Sequence, residues 1–232
     1  MHDFLAHSEV FAIAATFVIY FLAQKLHKRV NYFFLNPVMI SIVLIILFLN
    51  LFGLSYDSYN KGGHYIGFLL KPAVVALGVP LYLQLNQIKK QSRAILFSQL
   101  AGSLTGIFSV IIIAKLFNAS RPVILSLIPK SVTTPIAMEI STSIGGIPAL
   151  TAGVVITTGI FGAMLGLKLL SIMRIKDSSG VGLAMGTAAH GLGTAKAAEI
   201  SDEHGAFGSL GLIINAIFTA IFAPWIVLLF HL

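Results

Sequence analysis

Between two long apolar tracts, residues 128–146 read Ile-Pro-Lys-Ser-Val-Thr-Thr-Pro-Ile-Ala-Met-Glu-Ile-Ser-Thr-Ser-Ile-Gly-Gly. The stretch holds a lysine, a glutamate, six hydroxyls and two prolines. Pro129 and Pro135 each remove a backbone donor and crowd the preceding helical turn, so one continuous helix through both is not expected. At membrane depth, backbone freed in this way survives only where protein or a water-filled cavity satisfies it. A broken helix with a cation and hydroxyls at the break is a common way to build a substrate site in a membrane. The competing reading is a polar loop outside the bilayer.

The rest of the chain makes a lipid bilayer its solvent. Of 232 residues, 57% are hydrophobic and 10% charged, against about 25% charged in a soluble domain. Apolar runs cover residues 8–24, 34–54, 64–85, 94–117, 147–170 and 207–232. Each is near or above the roughly 20 residues that cross about 30 Å of hydrocarbon. Two interrupted stretches lie between them, 122–146 and 180–203, the second breaking near His190–Thr194, where Gly191 and Gly193 loosen the backbone. The expected fold is an all-α polytopic membrane protein, about six full spans plus two interrupted or re-entrant helical hairpins. It forms a single integral membrane domain, with a four-span part at 1–121 and two hairpin-plus-span repeats at 122–232. The N-terminus lacks a basic start and a small-residue cleavage site, so 8–24 is expected to be a retained span. The absence of cysteine excludes disulfides and thiolate metal sites. The net charge of +7 fits basic loops on one membrane face better than nucleic-acid binding.

Internal similarity supports the repeats. Thr105-Gly106-Ile107-Phe108 recurs as Thr158-Gly159-Ile160-Phe161, each followed at the same spacing by Lys-Leu. Ala137-Met138-Glu139-Ile140-Ser141 is echoed by Ala197-Ala198-Glu199-Ile200-Ser201, and Thr219-Ala220-Ile221-Phe222 stands as a third copy of the first signature. Such weak similarity is the expected trace of transporter repeats. Charge then tests the topology. If 122–146 dips in and returns, the loop lysines and arginines divide nine to three between cytoplasm and exterior, as the positive-inside rule prefers. A hairpin plus one span is an odd number of crossings, so the two copies are expected to be inverted, with their breaks near one another at mid-membrane.

Lys130 stands beside Ser131, Thr133 and Thr134 at the first break. An ammonium with neighbouring hydroxyls suits a small carboxylate. Pro135 suits the first turn of the following helix, whose open N–H groups would face the same spot. The alternative is that Lys130 snorkels to the surface while the threonines cap a helix. At the second break His190, Gly191 and Thr194, with Thr187, are the matching candidates. The imidazole titrates near physiological pH, which makes His190 a candidate for proton coupling or a structural histidine. Glu139 and Glu199, one turn past the breaks, are candidates for ion coupling or simple helix-end carboxylates. Lys71 lies midway along the third run, before Pro72 and Pro80. No metalloprotease, nucleophile-elbow or phosphate-loop motif is present, so no enzymatic activity, catalytic residue, metal or cofactor is expected.

Leu-Asn-Pro at 35–37, Ser-Tyr-Asp-Ser-Tyr at 55–59, Pro-Ala-Val-Val-Ala-Leu at 72–77 and Pro-Leu-Tyr at 80–82 form a familiar series. Pro-Lys-Ser-Val-Thr-Thr-Pro-Ile-Ala at 129–137, Ile-Gly-Gly-Ile-Pro-Ala at 144–149 and His-Gly-Leu-Gly-Thr-Ala at 190–195 complete it. The chain resembles the LrgB/CidB family over almost its whole length, most nearly its YohK-like bacterial inner-membrane branch. Two functions are implied by that resemblance. One is a carrier of small organic acids such as glycolate, glycerate or pyruvate. The other is a holin-like or antiholin-like regulator of murein hydrolase export and cell lysis, acting beside a small LrgA/CidA-type membrane partner. The site residues favour the carrier, since a simple hole needs no buried Lys-Ser-Val-Thr-Thr. The implied surroundings are the bilayer, the small partner and a carboxylate solute, with no nucleic acid. A homo-oligomer stays open.

Overall fold

A computed structural model of the protein describes residues 9–30, 37–69, 72, 78–83 and 85–230. Every described element is a helix or a turn. The helices fall into two compact units, Met1–Ala76 and Leu77–Leu232.

The first unit contains α1 (Glu9–Val30), α2 (Pro37–Leu51) and α3 (Tyr56–Phe68). Glu9 opens α1 and His27, Lys28 and Arg29 close it, so charge of each sign lies at the dipole end that favours it. The 15 residues of α2 are fewer than the roughly 20 that a span needs. The third helix is polar for this chain and is capped by Ser55, whose hydroxyl accepts from Ser58 N. It packs on α1, where Thr16 Oγ1 and Tyr59 OH lie 2.6 Å apart. The expected third run, 64–85, is shared between the end of α3 and a later short helix. Lys71 and the 73–77 part of its motif lie outside the described residues, as do Leu35 and Asn36.

The second unit contains α4 (Gly78–Leu83), α5 (Leu85–Lys90), α6 (Ser92–Leu116), α7 (Arg121–Leu127), α8 (Thr134–Ile144), α9 (Pro148–Ile172), α10 (Ser178–Ala198) and α11 (Asp202–Leu229). With α1, the helices α6, α9 and α11 are long and apolar enough to cross a membrane. Large apolar side chains such as Phe97, Phe161 and Trp225 are exposed, while Gln99, Ser141, Thr151 and Asn215 are buried. That is the reverse of a water-soluble surface and suits a protein facing lipid.

Three spans frame this unit. Near the start of α6, Ile95 packs with Phe207 near the start of α11; toward their far ends Phe108 stacks edge-on to Phe230. The two helices therefore run parallel. The intervening α9 runs the other way. Its first turn carries Thr151 beside Ser126 and Ser141, while Leu170 near its end packs with Val181 and Ala197.

The two interrupted stretches are helical hairpins that enter this frame from opposite ends. In the first, α7 runs in, the chain turns at 128–133, and α8 returns. Gly145 closes α8 in the left-handed region, and Ile147 N donates to Ser126 Oγ at 2.7 Å, which ties the exit of the hairpin to the last turn of α7. Ile124, Leu125 and Ile144 share a core with Ala114 of α6 and with Ile226 and Val227 of α11. In the second, Asp177 caps α10 by accepting from Gly180 N at 2.6 Å; that bond and the Ser179 hydroxyl hold the Asp177 carboxyl below the usual carboxylate range. The helix then folds back on itself at Ala189 and His190, whose dihedrals are non-helical. Ala197 consequently packs with Val181 and Met185, and a Cβ at position 193 would lie 2.2 Å from Met185 O. Both limbs lie on the start of α11. The first approaches so closely that a Cβ on Gly186 would stand 2.0 Å from Gly208 O; Thr194 of the second borders the same Gly208. Each hairpin is followed by a long antiparallel span, and the pair form inverted repeats.

Candidate functional site

The two hairpin tips meet on one side chain that sequence reading passed over. Asn215 lies at the middle of α11 and is 1% exposed. Its Nδ2 donates to Ser131 O of the first tip at 3.0 Å and to Thr187 O, just before the second tip, at 3.1 Å. Its Oδ1 accepts from Ser103 Oγ of α6 at 2.7 Å. An unpaired amide at this depth is expensive; here both donors and the acceptor are engaged.

The second tip has its own anchor. His190 Nε2 lies 3.0 Å from Val155 O of α9; a carbonyl only accepts, so the imidazole donates through Nε2. The ring fits a notch where α9 has no side chain, because a Cβ on Gly159 would stand 2.6 Å from His190 Cε1. His190 holds φ 43° and ψ −131°, a region that favours glycine and costs a non-glycine residue about 1–3 kcal/mol. Thr194 Oγ1 donates to His190 O at 2.9 Å. The anchors are crossed. His190 is held by the span that follows the first hairpin, and Ser131 by the span that follows the second. Moving the His190–Val155 pair by the 60-residue offset of the Glu-Ile-Ser echo gives 130 and 215, within one residue of the observed Ser131–Asn215 pair.

Beside the meeting point lies a cavity of about 530 Å³, lined by Ser98, Gln99, Thr105 and Ser109 of α6, Lys130 and Ser131 of the first tip, and Leu183 and Thr187 of α10 among others. Lys130 is half-buried. Its Nζ donates to Ser131 Oγ at 3.0 Å, and among the described residues no carboxylate pairs with it. The cavity thus presents a cation with no carboxylate partner among the described residues, together with hydroxyls and an amide, on walls otherwise made of alanine, glycine and leucine.

The other candidates are placed elsewhere. Thr133 is the N-cap of α8 but its side chain makes no capping bond, and Thr134 and Pro135 form the first turn; none of the three lines the cavity. His190, Gly191 and Thr194 lie outside its lining too; His190 faces α9 and Thr194 borders Gly208 of α11. Glu139 is exposed on α8, and exposed Glu199 pairs with Lys196. Among the described residues there is no group of side chains that could hold a metal ion. Gln99, Thr105, Ser109 and Asn215 are the lining and anchoring residues that motif reading missed. Two of them were marked all the same, since Gln99 and Asn215 are lone amides inside apolar runs, and polar residues inside spans are functional candidates by default.

The model of the LrgB-like family matches residues 16–229. The chain is 38% identical over the full length of both proteins to the holin-like protein CidB of Staphylococcus aureus (strain N315), and 37% identical over the same share to holin-like protein CidB of Staphylococcus epidermidis (strain ATCC 12228 / FDA PCI 1200). Uncharacterized protein YxaC of Bacillus subtilis (strain 168) is 39% identical over 96% of this chain and 97% of its own. No solved structure matches.

Proposed function

This chain belongs to the LrgB-like family, and we propose that it is a multi-pass carrier of small monocarboxylates in the bacterial inner membrane. The observation that carries this reading is the Lys130 ammonium, without a carboxylate partner among the described residues, in a largely apolar cavity that also carries hydroxyls and an amide, where two inverted hairpin tips converge. A cation so placed is held at a cost unless an anion visits it. Inverted hairpins with broken backbone at their meeting point are the arrangement on which alternating access is built. Glycolate, glycerate and pyruvate are of a size to enter with the carboxylate on Lys130. A small LrgA/CidA-type membrane protein is the proposed partner.

A second reading has its own support. The full-length relatives at 37–38% identity bear the name holin-like, which favours a role in membrane permeability or lysis control over solute transport. The two separate in liposomes containing purified protein, with and without the small partner. A carrier gives uptake of labelled glycolate, glycerate or pyruvate that saturates with concentration and retains trapped dye. Unselective dye leakage without saturable uptake would overturn the carrier.

A further inference from the structure

We infer that Gln99 is the second fixed contact of this cavity and decides which solutes it accepts, an inference that rests on the carrier reading. Gln99 stands among the buried residues of α6, flanked one turn away by Ile95 and Ser103, and is itself 3% exposed. It nevertheless lines the cavity. One half of its amide meets Thr187 Oγ1, and the other half has no hydrogen-bond partner among the described residues. A polar group buried on every side but the cavity, and half unpaired, calls for a partner from within the cavity.

Thr187 determines which half is offered. Its hydroxyl carries one proton, and Leu183 O lies 2.7 Å away as the back-bonding carbonyl one turn earlier. With the proton on that bond, Thr187 accepts from the Gln99 NH₂ group, and the Gln99 carbonyl oxygen turns to the cavity. With the proton directed to Gln99, the NH₂ group turns there instead. A solute hydroxyl is both donor and acceptor, so it satisfies either arrangement. An alkyl group satisfies neither. Lys130 supplies charge from a hairpin tip and is indifferent to what lies beyond the carboxylate. Gln99 supplies a neutral hydrogen-bonding group from a span, held in place by Thr187. The two residues therefore have separable effects, on affinity for any carboxylate and on selectivity among them.

Lactate and propionate make the probe pair, since they share a carboxylate and a three-carbon frame and differ by one hydroxyl. Uptake of each is measured in liposomes with the full chain. The wild type is expected to favour lactate over propionate by about two- to tenfold in kcat/KM, the range that one neutral hydrogen bond supports. Gln99→Leu should bring that ratio close to one, mainly through a higher KM for lactate. Lys130→Gln should lower both solutes by a common factor and keep the ratio. Thr187→Val, which releases the Gln99 amide and keeps the volume, should reduce the ratio partway, and serves if Gln99→Leu fails to insert. A ratio equal to the wild type in Gln99→Leu, or in Thr187→Val where Gln99→Leu does not insert, overturns the role of Gln99 and leaves the carrier standing, as does a wild type that does not discriminate. A wild type that takes up neither solute while transporting glycolate, glycerate or pyruvate overturns this inference alone, and one that transports none of the five overturns the carrier and this inference with it.

Discussion

The two hairpins share a plan and differ at the tip. The first turns over six residues, 128–133, with Pro129 inside the turn and Pro135 in the first turn of α8, and its lysine is free of any carboxylate among the described residues and lines the cavity. The second turns over two residues, and its histidine is seated against Val155 and Gly159 of a neighbouring span. A longer tip with an unpaired charge facing a cavity is equipped to meet a solute. A tight tip whose side chain is held in a notch is equipped to fix position. Under the carrier proposal the two copies divide into one binding tip and one anchoring tip, each held by the span that follows the other.

The comparison breaks most completely if the hairpins do not enter from opposite faces. The chain has no cysteine, so single cysteines report cleanly. Ser120→Cys, just before α7, should react fully with an impermeant maleimide on intact cells, and Ser178→Cys, at the start of α10, should react only after the membrane is opened. Equal labelling of both from outside would remove the inverted arrangement. Next in size is Asn215→Leu, which deprives Ser131 O, Thr187 O and the Ser103 hydroxyl of their partner together. Hydrogen bonds inside membranes are individually modest, so the joint loss should be about 2–4 kcal/mol, read as a fall in thermal stability in detergent with both tips loosened. Gly159→Ala tests the second anchor alone. Its Cβ would displace the His190 ring from Val155, at about 1–3 kcal/mol, while carboxylate binding at Lys130 should change little. The smallest effect belongs to Thr134→Val. Thr134 lies half-buried in the first turn of α8 and off the cavity, so uptake should stay within about twofold of wild type, as the loss of one hydroxyl away from the solute allows.

The breaks were legible because proline and glycine act through backbone sterics that need no tertiary context. Pro129 marks the first turn and Pro135 the start of the helix after it, and the glycines around His190 mark the second. The spans were legible because hydrocarbon thickness fixes their length, with two exceptions: the run 34–54 reads long enough, but α2 covers only Pro37–Leu51, and in the run 64–85 the described residues form only the end of α3 and the short α4. Side-chain direction was not legible. His190 and Lys130 occupy matching positions in the two copies, yet one faces a span and the other the cavity, and this depends on Gly159 being absent of a side chain 31 residues away in the chain. Gln99 and Asn215 belong to no motif and acquire their roles from helices that approach them only in the folded protein.

The central claim is that the Lys130 ammonium binds a substrate carboxylate. Uptake of a labelled monocarboxylate in liposomes, at equal protein density, compares Lys130→Gln with Lys61→Gln, a change at an exposed position of α3. A charge-assisted hydrogen bond in a desolvated site contributes roughly 1.5–3 kcal/mol, so Lys130→Gln should raise the half-saturating concentration about ten- to a hundredfold. Lys61→Gln should match the wild type. Identical uptake by the two variants would contradict the account, because Lys130 would then be a surface-seeking side chain and the cavity would not be a carboxylate site.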